Sequence, residues 1–152
     1  MRARLLQLGL AGLCVALAGP ARAEDLSPLG RWKTIDDVTG KPKSVVLLYE
    51  EGGKLFGKIE SLFVEPGADP HPKCGKCDGD RKDQPIIGMV ILWNLTRDES
   101  SNAWNGGHIL DPKNGKTYNC YVEPVDAGKR LKVRGFLGFA LLGRTQHWLK
   151  ME

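Results

Sequence analysis

Apolar and polar residues alternate in short stretches along most of this chain, and turn-forming Gly, Pro, Asn and Asp residues separate the stretches. Such alternation predicts β-strands with one buried face, whereas a surface helix repeats its apolar residues every three to four positions. No stretch after residue 24 shows a convincing helical spacing. The alternation predicts strands at residues 30–35, 43–49, 54–64, 86–95, 104–110, 116–125, 130–136 and 143–151.

Most of the predicted strands are joined by tight turns, and Asn114-Gly115 beside a strand start is a strong hairpin signal. Strands joined in this way pair with their neighbours in sequence, whereas a two-layer sandwich usually needs crossing connections. A meander loses its exposed edges when the last strand pairs with the first. We therefore predict an all-β fold, an eight-stranded antiparallel up-and-down barrel, with an open sandwich as the alternative.

The first 23 residues have the three parts of a secretory signal peptide. Arg2 and Arg4 precede an apolar run at residues 5–18, and Ala21-Arg22-Ala23 forms a small-x-small cleavage site. The run is shorter than the roughly 20 residues that a membrane span needs. We expect cleavage near Ala23, a periplasmic or secreted protein, and a single mature domain at residues 24–152 without a membrane span.

Removal of the leader changes the charge balance. The whole chain has 22 Lys and Arg against 18 Asp and Glu, and three of the basic residues lie in the leader, which leaves 19 against 18. Nucleic-acid binding requires a clustered basic surface. A nearly balanced mature chain lacks one, so we expect no nucleic-acid partner.

Three cysteines follow the leader, and their odd number leaves at least one unpaired within the chain. Cys74-Gly-Lys-Cys77 lies in a polar stretch, residues 65–85, whose prolines exclude a long strand or helix. We favour a structural disulfide there, while pairing with Cys120, a redox pair and a zinc site that recruits His71 remain alternatives. No metal or cofactor is expected.

The interior of the predicted barrel is the candidate ligand site. Eight strands leave an interior just wide enough either to be filled by side chains or to hold one small ligand. Strand alternation predicts the lining as Met89, Ile91, Trp93, His108, Leu110, Tyr118, Cys120 and Val133. These side chains favour a small, partly apolar ligand, and the competing interpretation is a solidly packed core.

The sequence contains no combination of residues typical of a catalytic site. The three histidines are not paired with a nucleophile or an acid by any motif. We therefore expect a monomeric binding protein, not an enzyme. The alternative is a structural or interaction module of the cell envelope that contacts a protein partner through residues 65–85.

Several motifs resemble a known group of proteins. Gly30-x-Trp32 is similar to the start of the first strand in lipocalins and the wider calycin group. The second half strongly resembles an uncharacterised family of exported bacterial proteins, domain-of-unknown-function family 2147. The resemblance rests on Gln84-Pro-Ile-Ile-Gly-Met89, Trp104-x-Gly-Gly107, Asp111-Pro-x-x-Gly-Lys-x-Tyr118, Leu131-x-Val-Arg-Gly-Phe-x-Gly138 and Gly143-Arg-Thr-Gln-x-Trp148. It implies a lipocalin-like barrel outside the cytoplasm and no established activity.

The resemblance also implies how one end of the barrel is closed. In calycins a basic side chain near the C-terminus can stack on the first-strand Trp, here Trp32. Members of the family end the last strand with Arg two residues after the Trp, and this chain has Lys150 there. We predict a closure built on Trp32, with Arg144 as the alternative basic partner.

Overall fold

The computed structural model describes residues 26–139 and 141–152, so the predicted leader lies outside the described residues. Within these ranges the chain forms eight strands and one short 3-10 turn, Gly79–Arg81. No helix in the described part is long and apolar enough to cross a bilayer. The strands are β1 Gly30–Ile35, β2 Pro42–Glu51, β3 Lys54–Leu62, β4 Val90–Arg97, β5 Trp104–Asp111, β6 Lys116–Val125, β7 Arg130–Phe136 and β8 Gly143–Lys150.

Each strand pairs antiparallel with the next, and β8 returns to β1 through Trp32 opposite Lys150 and Lys33 opposite Leu149. The sheet is therefore a closed up-and-down barrel, and the prediction of this fold is confirmed. Closure leaves the backbone groups of β1 and β8 paired with each other instead of exposed at an edge.

One end of the barrel is packed solid. We call it the closed half, and its inward-facing side chains are almost completely buried. Trp32 Nε1 donates to Pro28 O at 2.7 Å, which holds the segment before β1 across this end. The closed half is filled by Trp32, Leu48, Leu55, Leu95, Trp104, Val122, Leu131 and Trp148.

The other end carries the four connections β1–β2, β3–β4, β5–β6 and β7–β8, and we call it the open end. Three of these connections are short, and the β3–β4 connection, residues 63–89, is long. As its prolines predict, the long connection contains little regular structure, only the 3-10 turn and a bridge between Lys73 and Pro85.

The β3–β4 connection folds against the outer wall of the barrel. Cys74 and Cys77 are joined by a disulfide, and the Cys74 sulfur lies 3.6 Å from Pro112 O in the β5–β6 turn. Gly115 of the same turn has φ +74°, and a side chain there would overlap the carbonyl of Lys76. Glycine is required at this position both for the turn and for the close approach of the two backbones.

The observed β4 starts later than predicted, at Val90 instead of residue 86. Gly88 has φ +87°, outside the extended region, and Met89 N donates to Ile86 O at 3.1 Å in a turn. The apolar character of residues 86–89 therefore reflects burial next to the barrel, not strand structure.

Candidate ligand-binding site at the open end of the barrel

Strand register determines which side chains point into the barrel. Residues directly opposite each other on paired strands lie on the same face. Leu92 is opposite Ile109, which is opposite Tyr118, while Trp93 is opposite His108. A Cβ built on Gly135 of β7 would lie 3.4 Å from Ile109 Cγ2, on β5 two strands away. Such a contact crosses the concave side of the sheet, so the face of Ile109 and Tyr118 is the inner face.

On β6 and β7 the structure places the predicted lining residues on the inner face of the barrel. Tyr118 and Cys120 are two residues apart on the inner face of β6, and Val133 is opposite inward-facing Val122. Cys120 and Val133 are buried, and Tyr118 is half-buried.

The predicted lining is wrong on β4 and β5. Trp93 and His108 lie on the outer face, and strand alternation places Ile91 and Leu110 there as well. Met89 is buried ahead of β4, not on a strand.

The reason for the error is that both faces of β4 are covered. Arg81 of the β3–β4 connection lies with its guanidinium carbon 4.3 Å from the centre of the Trp93 ring, on the outside of the barrel. Trp93 and His108 also contact each other, with ring centres 5.6 Å apart. Apolar residues are therefore buried on both faces, and alternation alone could not determine which set points inward.

The open end contains inward-facing side chains that remain partly exposed. Ile109 and Tyr118 are both half-buried although they point into the barrel. An inward-facing side chain reaches solvent only through the mouth, so the interior is open at their level. Below them Ile59, Leu92 and Val133 are buried and form a floor. The result is a shallow cup.

Sequence reasoning missed three members of the cup: Leu62, Ile109 and Gln146. Leu62 is opposite Ser44, and Gln146 is opposite Val133, so both share the inner face. Gln146 could have been found, because it is two residues before buried Trp148 on β8. Its amide oxygen accepts a hydrogen bond from Trp148 Nε1 at 3.2 Å.

Polar groups occur at two levels of the cup. Thr34 and Ser44 are buried in the barrel wall with their hydroxyl oxygens 2.7 Å apart. Nearer the mouth, the hydroxyl of Tyr118 accepts a hydrogen bond from Asn114 Nδ2 at 3.0 Å. The apolar wall is thus combined with hydrogen-bonding groups that could fix the orientation of a ligand.

At the mouth, an ion pair between Arg144 and Asp37 joins the start of β8 to the β1–β2 connection. The guanidinium donates to both carboxylate oxygens and holds the pKa of Asp37 below its ordinary value. Arg144 therefore lies at the open end, and its predicted contact with Trp32 is wrong.

The closure on Trp32 is instead made by Lys150. Its Nζ lies 4.6 Å from the centre of the Trp32 ring and donates to Leu29 O. Burial lowers the pKa of this ammonium group. A Cβ on Gly30 would lie 2.9 Å from Nζ, and Gly30 has φ +109°, which together explain the glycine of the Gly-x-Trp motif.

Among the described cysteines Cys120 has a free thiol, which is buried in the barrel. Burial raises its pKa to about 12, so it carries no thiolate at neutral pH. Cys74 and Cys77 are bonded to each other, so they cannot act as thiolate metal ligands in this state. In the described part of the chain no three His, Cys, Asp or Glu side chains are grouped as metal ligands would be.

A second recess lies outside the barrel, near the mouth. This outer groove has a volume of about 830 Å³, and charged side chains such as Asp80 and Lys116 lie beside Leu110 and Thr117 in its wall. The outer groove is open and mixed in charge, whereas the cup is enclosed by the sheet.

Comparisons with known proteins agree with this architecture. The chain resembles protein HP1028 from the human pathogen Helicobacter pylori, which is described as belonging to the lipocalin family. The two share 21% identity over 84% of each chain, with a TM-score of 0.71, which establishes a common fold. No curated protein matches the chain. The family model described as "uncharacterized protein conserved in bacteria" matches residues 30–150, and this chain therefore belongs to that family, domain of unknown function 2147.

Proposed function

We propose that this protein is an exported, monomeric carrier that holds a small, partly apolar molecule in the cup at the open end of its barrel. The observation that supports the proposal best is the exposure of Ile109 and Tyr118. Both point into the barrel, yet neighbouring side chains cover them only in part. The lipocalin-like fold is compatible with a ligand at this position.

The chemistry of the cup favours a particular class of ligand. Leu62 and Ile109 offer apolar contact, and the ring of Tyr118 extends it toward the mouth. The amide of Gln146 could pair with a hydroxyl, carbonyl or amide of the ligand. The cup is shallow because the closed half is full, so a ligand of a few rings or a short acyl chain fits better than a long chain.

Displacement of an environment-sensitive apolar dye tests the proposal, alongside native mass spectrometry of gently purified protein. The decisive variant is Gly135→Leu. A Cβ at this position is in ordinary contact with Ile109 and Tyr118, so the rest of a leucine would extend into the cup. We expect dye affinity to fall by about tenfold or more, because the ligand loses that space.

Thr117→Leu is the matched control, since it adds a leucine to the wall of the outer groove. It should leave dye affinity unchanged. If Thr117→Leu abolishes binding and Gly135→Leu does not, the ligand site is the outer groove and the cup proposal is wrong. Absence of both dye binding and a co-purified molecule would also contradict it.

A further inference from the structure

Large apolar side chains are exposed around the mouth of the barrel. Val38 is 84% exposed, Phe139 80% and Leu141 87%. Seven of the nine large hydrophobic residues exposed in the described part of the chain lie at this end. We call this set the apolar rim: Val38, Phe63, Val64, Leu137, Phe139, Leu141 and Leu142.

The apolar rim comes from three separate connections. Val38 is in β1–β2, Phe63 and Val64 begin β3–β4, and the other four are in β7–β8. A cluster of exposed apolar residues on a water-soluble surface indicates an interaction site. Because seven residues from three connections converge on one end, chance exposure of single side chains does not account for them.

The side chains of the rim are uncharged. Residues 137–142 include no charged side chain. Two ion pairs lie beside it, Arg144 with Asp37 and Lys41 with Glu65 at 2.7 Å. The guanidinium of Arg134 is bonded to the rim backbone at Leu141 O. These side chains offer no charge for a partner to bind, but they can make apolar contacts with the hydrocarbon part of a bilayer.

The backbone of the β7–β8 connection is partly satisfied within the protein. Leu142 N donates to Phe139 O at 3.0 Å, and the Arg134 guanidinium donates to Leu141 O at 3.2 Å. Backbone groups that already form hydrogen bonds lower the free-energy cost of transferring a segment from water into a membrane interface.

We propose that the apolar rim docks on the surface of a lipid bilayer and inserts its side chains at the boundary between headgroups and acyl chains. The rim consists of protruding side chains around a recessed mouth. A rigid protein face would leave the recess unfilled, but fluid lipid can follow the outline. Docking in this way turns the mouth of the barrel toward the membrane. The proposal goes beyond ligand binding, because the rim would dock whether or not the cup holds a molecule.

Co-sedimentation with neutral phosphatidylcholine vesicles tests the proposal, using protein purified after export with its N-terminus confirmed by mass. We expect binding that depends little on salt, because the rim side chains are uncharged and the vesicles are neutral. Leu141→Asp combined with Leu142→Asp should weaken binding by about tenfold or more, since charged groups resist transfer into the interface.

Leu29→Asp combined with Leu149→Asp provides the control, because these leucines are exposed at the opposite end of the barrel, at 38% and 41%. This variant should bind vesicles like the parent protein. Leu141→Ser is a milder rim variant, expected to weaken binding to a smaller degree, and circular dichroism verifies that all variants are folded.

Three results would overturn the proposal: no vesicle binding by the parent protein, equal losses in rim and control variants, or a dimer in ultracentrifugation that the rim variant dissociates without any vesicle binding. The last result would assign the rim to a second copy of the chain. Dye binding in vesicle-free buffer reports on the cup separately, so failure of either proposal can be recognised without the other.

Discussion

The closed half and the open end of this barrel are built from the same strands but differ in how completely their side chains are buried. In the closed half three tryptophans and five aliphatic residues fill the interior, and their side chains are nearly inaccessible to water. At the open end the inner residues Ile109 and Tyr118 remain partly exposed, and apolar side chains point outward from the connections. The difference teaches that the burial of large apolar side chains is most complete at one end, while the other end keeps apolar side chains in contact with solvent.

The contrast is also visible in the glycines of the inner face. A Cβ on Gly107 would lie 2.5 Å from Leu95 Cγ and from the carbonyl oxygen of Trp93. A Cβ on Gly135 would find its nearest neighbour at 3.4 Å. Gly107 is needed because the space beside it is already full, whereas a Cβ on Gly135 would make only ordinary contacts with Ile109 and Tyr118.

The largest expected effect comes from removing an aromatic ring from the closed half. Trp148→Ala should lower the free energy of unfolding by about 3–5 kcal/mol, because it leaves a cavity in a packed core. Phe139→Ala at the rim should change it by no more than about 0.5 kcal/mol. Urea denaturation measures both. If the two variants lost similar amounts of unfolding free energy, the closed half would not be more important for stability than the open end.

Alanine substitution of Gly107 and of Gly135 tests the packing difference between the two positions directly. Gly107→Ala should destabilise the protein by about 1–3 kcal/mol through overpacking against Leu95 and the β4 backbone. Gly135→Ala should be neutral within about 0.5 kcal/mol, since only ordinary contacts are formed. Thermal and urea unfolding check both values. A costly Gly135→Ala would mean that the cup is already filled.

The buried thiol provides a pH test. Because the pKa of Cys120 is raised to about 12 in the folded protein, the unfolded chain loses this proton first, near pH 9. The contribution of the Cys120 thiol to the free energy of unfolding is therefore fully present below pH 9. It decreases as the pH rises toward 12, and the loss is about 2 kcal/mol at pH 10.5. Cys120→Ala should flatten the decline between pH 8 and 10.5 measured by urea denaturation. An unchanged slope would indicate that water reaches the thiol through the mouth.

The smallest expected effects concern one cation at each end. Lys150→Met should cost about 1 kcal/mol, because it removes the ammonium group from the Trp32 ring and from Leu29 O, while Lys150→Arg should retain most of the interaction. Arg144→Met should cost no more than about 0.5 kcal/mol, since its ion pair with Asp37 is exposed. Thermal unfolding of the three variants ranks them. If Arg144→Met lowered the stability more than Lys150→Met, the cation at the open end would contribute more to stability than the one at the closed end, which would contradict the comparison.

The strand order and the closure of the barrel were predictable because they depend on local signals. Alternation and turn residues are properties of neighbouring positions, and β1, β6 and β7 begin and end where predicted. The facing of β4 was not predictable, because it depends on residues 63–89 folding back over the outer wall. Nothing in the sequence of Ile91 and Trp93 distinguishes burial under that connection from burial in the barrel.

The closure on Trp32 shows a different limit. The resemblance to calycins correctly indicates a basic side chain on this ring, but not which one. Lys150 is selected by strand register, since it is directly opposite Trp32. Arg144 lies six residues earlier on β8, toward the opposite end of the barrel, where it meets Asp37 instead.

The segment before β1 and the end of β8 meet on one side of the molecule, where Met151 N donates to Arg31 O at 3.0 Å. A label, resin or chip attached at Glu152 would therefore present the mouth away from the support. Protein immobilised in this way would suit tests of the proposed ligand binding and vesicle docking, because the tether and the mouth lie at opposite ends of the barrel.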